Sequence, residues 1–203
     1  MGRRAMSQGI PDLSLATNRA SGNRERILEA ALRLFTSHGF HGTPTSQISK
    51  EARVSTGTLF HYFPDKNTLI DQLYLSIQKE VAEGMRKNDD RSLPTKQRLE
   101  QFLRGYIAWG VAHPEKVRFM EQFYNSPSIG DEVKHQAYNE IRWLLEVSDA
   151  AIREGILRDL PPRFYTVMVL QILNGILALI ASENTGLSPD EIIEYSLEMI
   201  WKR

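Results

Sequence analysis

Apolar positions at Ile27, Ala30, Ala31, Leu34 and Phe35 recur at the spacing of one helical face, predicting a first helix from about Asn23 to His38. Gly39 fits the left-handed position that ends such a helix. Thr43 reads as the N-cap of a second, short helix with Pro44 at its first position and Ile48 and Ala52 four apart on one face. After a tight turn Ser55 can cap a third helix, in which Leu59 and Phe63 form the buried pair. Residues 1–22 show no period and predict a flexible arm, in which Arg3, Arg4 and Arg19 either reach a minor groove or have no role.

From Pro64 onward the pattern changes to longer helices. Asp65 or Asn67 can start one that runs to about Asn88, with Leu69, Leu73, Ile77 and Val81 as its seam. Further helices are predicted over 95–112, 114–124 and 129–154, the last ended by Gly155. Pro161 and Pro162 open an apolar helix to about Asn184, and Ser188-Pro189-Asp190-Glu191 is a well-formed start for the final one. No strand pattern occurs. The expected fold is all-α: an N-terminal three-helix domain over 23–66 containing a helix-turn-helix, then a helical domain over 67–203.

Net charge is zero, but its distribution is uneven. Residues 1–66 hold nine Lys and Arg against five Asp and Glu, and residues 67–203 hold sixteen against twenty. A basic N-terminal third suits a local phosphate-binding face rather than a protein coated by nucleic acid. The absence of cysteine excludes disulfides and thiolate chemistry. Arg3-Arg4 leads into polar rather than apolar sequence, so no secretory signal is read and a cytoplasmic protein is expected. The apolar run from Phe164 to Ala181 carries Thr166, Gln171 and Asn174, which suit a buried helix better than a membrane span.

Roles in the helix-turn-helix follow from faces. Thr45 and Ser46 lie in the first turn of its first helix, where hydroxyls and free N–H groups can hold a phosphate. Ser55, Thr56 and Gly57 open the second, Gly57 allowing its backbone close to DNA. Thr58, Tyr62 and Lys66 are candidate DNA-backbone contacts, and Phe60 and His61 are candidates for base edges or thymine methyls. Tyr62 is equally placed to pack on the core.

The block from Arg24 to Leu69 resembles the N-terminal domain of the TetR (tetracycline repressor) family. The matching residues are Ile27, Ala30, Ala31, Phe35, Gly39-Phe40, Thr43, Ile48, Val54-Ser55, Gly57-Thr58-Leu59, Phe63 and Lys66. The resemblance implies an all-helical homodimer that binds a palindromic double-stranded DNA operator and releases it when a small molecule binds the C-terminal domain. It also implies a four-helix dimer interface from the last two helices of each subunit, here with Leu170, Leu173, Leu177, Ile193, Leu197 and Trp201 as candidates. Three residues depart from the family pattern. Phe60 replaces a usual tyrosine, Ser49 a usual alanine, and Arg53 a usual glycine in the turn.

No convergent catalytic set is present. The five histidines show no metal-ligand pair on one helix, and no phosphate loop, nucleophile elbow or HExxH occurs, so neither enzyme nor resident cofactor nor metal is expected. A largely apolar effector is expected in the helical domain. Candidate lining residues are Phe102, Tyr106, Trp109, Met120, Phe123 and Trp143, with Gln171 and Asn174 as polar handles, although such a stripe can equally be core. The reading is a TetR-like transcriptional regulator, a repressor by expectation. The alternative is a helical dimeric binding protein whose DNA binding is weak or vestigial.

Overall fold

A computed structural model describes residues 13–87, 89–124, 130–182 and 185–201. Among them every regular element is an α-helix. The chain divides into two compact units, residues 1–70 and 71–203, so the division falls within a helix and just beyond the expected boundary at Lys66.

In the first unit α1 spans Leu13–His38, α2 Thr45–Glu51 and α3 Thr56–Tyr62. Each packs on the other two. Helix α1 begins about ten residues before Asn23, so part of the expected arm is helical. Extending an existing helix avoids the cost of a new nucleus, and Leu13, Leu15, Ala16 and Ala20 are good helix formers. Arg3 and Arg4 lie outside the described residues. Ile27, Ala30, Ala31, Phe35, Ile48, Leu59 and Phe63 form the core, as their periodicity predicts. Fully burying each large side chain contributes about 1.5–3 kcal/mol.

Gly39 takes φ +72° and donates its N–H to Phe35 O at 2.8 Å. Thr43 does not cap α2. The helix starts one residue later than expected, with Pro44 as a cap lacking any side-chain bond. Buried Thr43 instead turns its hydroxyl back to α1, with Oγ1 2.9 Å from Gly39 O and 3.2 Å from Leu34 O. A buried hydroxyl needs such a partner, and carbonyls at the end of α1 supply it.

Helix α4, Lys66–Lys87, starts where Asp65 Oδ1 accepts the Thr68 N–H at 2.7 Å. That backbone hydrogen bond holds the Asp65 carboxyl below the usual carboxylate value. The remaining helices are α5 Thr95–Ala112, α6 Pro114–Tyr124, α7 Asp131–Glu140, α8 Arg142–Arg153, α9 Pro162–Ala181 and α10 Pro189–Glu198. The single helix expected over 129–154 is two, because the chain breaks at Ile141 (φ −102°, ψ 5°), which has neither proline nor glycine beside it. Ile141 O then accepts from Leu144 N at 2.9 Å, restarting the helix.

Helix α5 is the centre of the second unit, packed by α6, α8 and α9, with α10 against α9. Phe102, Tyr106, Ile107, Phe119, Phe123, Leu173 and Ile176 are buried there. Tyr74 stacks on Phe123 with ring centroids 3.8 Å apart. Ser188 and Glu191 form the expected capping box of α10. No described helix is long and apolar enough to cross a membrane.

Candidate nucleic-acid interface

The turn between α2 and α3 is a Schellman motif. Val54 N donates to Ser49 O at 3.0 Å and Arg53 N to Lys50 O at 3.1 Å. That geometry needs a left-handed residue after Ala52, and Arg53 takes φ +54°. An L-residue other than glycine pays roughly 1 kcal/mol there. Ser55 then caps α3, its Oγ accepting the Thr58 N–H at 3.0 Å and lying 2.8 Å from Thr58 Oγ1.

These bonds fix which faces α3 presents. Leu59 and Phe63 point into the core, and Arg24 lies over the Phe63 ring, 5.8 Å from its centroid. Ser55, Thr56, Gly57, Phe60 and His61 are exposed, and Thr58, Tyr62 and Lys66 are half-buried. Phe60 keeps 42% of its surface exposed, which leaves its ring available to a partner on this face. A β-carbon on Gly57 would find only Ser55 Oγ, 3.8 Å away, so nothing within the protein requires glycine there. Tyr62 meets both His61 and Phe63 through its ring, at centroid distances of 5.4 and 6.4 Å. Ser46 is exposed and Thr45 half-buried at the start of α2. Partial burial lowers the pKa of Lys66 from its ordinary value. A short helix thus carries small, polar and one exposed aromatic side chain on the face away from its core.

Residues 27–73 match the family model for bacterial regulatory proteins of the tetR family. The HTH-type transcriptional regulator RutR of Escherichia coli strain K12 is 26% identical over 174 residues, covering 81% of this chain and 78% of that protein. A crystal structure of a tetR family transcription regulator from Shewanella sp. PV-4 superimposes with a TM-score of 0.80 at 28% identity, covering 89% of this chain and 99% of that one. This chain belongs to the TetR family. A second TetR-family structure, from Marinobacter aquaeolei VT8, gives a TM-score of 0.81 at 20% identity over 92% of this chain and all of that one, a likeness of fold. The protein is therefore a TetR-family transcriptional regulator with a DNA-binding helix-turn-helix, and the exposed face of α3 is its candidate reading surface.

The second unit rearranges the other expected sites. Phe102, Tyr106, Met120 and Phe123 are buried, and Trp143 meets Phe102 edge-on at 4.8 Å. Trp109 donates its ring N–H to Glu80 Oε1 at 3.0 Å. Gln171 is exposed and is no handle for an interior ligand, whereas Asn174 is half-buried. Sequence reasoning passed over Gln122 and Tyr165. With Trp143, they hold the buried side-chain polar atoms that lack a hydrogen-bond partner among the described residues: Gln122 Oε1, Trp143 Nε1 and Tyr165 Oη. Burial pushes the Tyr165 phenol up to about 12. Periodicity marks faces but not polar partners, so nothing in the sequence singled these out.

The expected dimer residues also divide. Leu173, Leu177 and Leu197 are buried in their own unit, leaving little surface for a partner, while Leu170, Ile193 and Trp201 are half-buried. On the last two helices the exposed large apolar side chains are instead Phe164, Val167, Met168 and Leu179 on α9, with Tyr195 on α10 and Met199 just after it, the last 75% exposed; Val111 and Leu187 are exposed elsewhere in the unit. Positions 164, 167, 168, 171, 175, 178 and 179 share one face of α9 at helical spacing, and each is exposed. The apolar run from Phe164 to Ala181 marks α9 as a helix rich in apolar positions, but not which stripe its own core takes.

Proposed function

We infer that this regulator works as a homodimer, represses by occupying a palindromic operator, and is released by a small-molecule effector bound in the helical unit. The observation that carries the reading is the exposed apolar stripe on α9 joined by Tyr195 and Met199 of the α10 region. A monomer gains nothing from keeping these side chains in water, and two copies facing each other would bury both stripes. Paired reading helices would then meet successive major grooves about 34–36 Å apart, and the operator would carry matching symmetry.

Buried polar atoms cost about 1–3 kcal/mol when unpaired. Trp143 Nε1, Gln122 Oε1 and Tyr165 Oη offer two donors and an acceptor from α8, α6 and α9, all helices that pack on α5. A mostly apolar effector carrying a few polar groups would satisfy them. Release requires only that it bind one state of the dimer more tightly, and coupling of about 1–3 kcal/mol is typical.

The well-formed turn around Arg53 and the outward face of α3 favour active DNA binding over the vestigial alternative. The test is titration of the protein into duplex DNA from upstream of its own gene, with stoichiometry followed by analytical ultracentrifugation across a salt series. Two protomers per site and affinity falling steeply with salt are expected. A monomer in solution, or no preference over unrelated duplex, would overturn the reading.

A further inference from the structure

Ser49 sits on the inner face of α2, 3% exposed, with its hydroxyl shared between two neighbours. Oγ donates to Ser46 O at 3.0 Å and lies 3.3 Å from Thr56 Oγ1, the first residue of α3. A carbonyl can only accept, and a serine hydroxyl has one proton. The bond to Ser46 O uses that proton, so Ser49 can meet Thr56 only as an acceptor. The Thr56 proton is thereby drawn inward, and its outward face carries lone pairs alone.

That polarity selects its partner. Phosphate oxygens also only accept, so Thr56 held this way gains nothing from the DNA backbone. In the major groove the donors on base edges are the amino groups of adenine (N6) and cytosine (N4), whereas guanine and thymine present acceptors there. We propose that Ser49 is a positioning residue that makes Thr56 an acceptor reading an amino-bearing base, adenine or cytosine, in each half-site. The proposal rests on the DNA-binding reading above and adds the base class and the residue that sets it.

Selection of bound duplexes from a random pool by the full-length protein tests it, with Ser49→Ala and Thr56→Val run in parallel. The wild type should restrict one position per half-site to adenine or cytosine on the same strand, discriminating by about tenfold, as one neutral hydrogen bond allows. Both variants should recover the same half-sites with that preference gone, and with unchanged salt dependence. In the selected wild-type site, replacing that adenine by purine without the 6-amino group, or cytosine by 2-pyrimidinone, should weaken wild-type binding about tenfold and leave Ser49→Ala unaffected. Circular dichroism melting shows whether Ser49→Ala folds; Thr56→Val, on the surface, keeps the test open if it does not. Persistence of the amino-over-keto preference in either folded variant, or indifference of the wild type to the missing amino group, overturns the proposal while leaving DNA binding intact. A wild type that selects no duplex overturns the DNA-binding reading and this proposal with it.

Discussion

Leu177 of α9 occupies the space that a side chain on Gly110 of α5 would need. A β-carbon at 110 would lie 2.6 and 2.8 Å from the two Leu177 methyl carbons and 3.2 Å from its Cγ. The small residue is what lets these two helices approach at the centre of the second unit.

Gly110→Ala therefore carries two opposing effects. Overpacking costs about 1–3 kcal/mol, and replacing a mid-helix glycine returns up to about 1 kcal/mol. A net loss of about 1 kcal/mol should appear as a lower midpoint in urea unfolding. In the double variant with Leu177→Ala the two losses should sum to less than their separate values, because the clash is gone. Full additivity would show that the leucine is not the obstacle.

Arg53 holds its left-handed conformation at the α2–α3 turn, where glycine would be unstrained. Arg53→Gly should stabilise the protein by about 1 kcal/mol and raise Tm. If the exposed guanidinium meets a phosphate, the same change weakens DNA binding and lowers the slope of log affinity against log salt by about one. Higher Tm with unaltered affinity would separate the strain from any DNA contact.

Glu80 on α4 gathers partners from two other helices. Lys116 Nζ lies 2.7 and 2.6 Å from its carboxylate oxygens, Trp109 Nε1 is 3.0 Å away and His113 Nε2 4.0 Å. Burial raises the Glu80 pKa, but the hydrogen bonds from Lys116 and Trp109 outweigh it and the net shift is downward. A depressed folded-state value means stability that is present above the ordinary glutamate range and is lost as pH falls through the folded value. Unfolding free energy should drop on acidification below about pH 4.5, and Glu80→Gln should flatten that part of the profile. Because the carboxylate is partly exposed, solvent screening keeps the effect small.

Val167 and Leu173 lie on different faces of α9, one exposed and the other buried. Val167→Glu should split the proposed dimer, seen as a halved mass in sedimentation equilibrium, with the helical circular dichroism retained. Leu173→Ala should instead lower stability by about 2–5 kcal/mol through a core cavity. A dimer insensitive to charge at 167 would move the interface elsewhere.

Tyr165 buries a hydroxyl with no partner among the described residues. Removing an unpaired buried hydroxyl relieves its desolvation, so Tyr165→Phe should be neutral or stabilising by up to about 1 kcal/mol. In the wild type, ultraviolet titration should find one tyrosine ionising near 12 that the variant lacks. A clear loss of stability in the variant would mean the hydroxyl has a partner after all.

Much of this protein was readable from residue order alone because the determining forces are local. Helical spacing at Ile27, Ala30, Ala31 and Phe35, the Ser55 and Ser188 caps, and the glycines at 39 and 155 mark elements through bonds made within a few residues. At Arg53 the family resemblance marked a turn position where glycine is usual, and the structure shows that its backbone is left-handed. Tertiary structure decided the rest. Whether Thr43 caps α2 or ties down α1, whether Ser49 is an idle replacement or a partner of Thr56, and which stripe of α9 is left exposed all depend on what a second element brings alongside. A hydroxyl or a leucine carries the same symbol in either setting, and only the approach of another helix settles which of its atoms are covered.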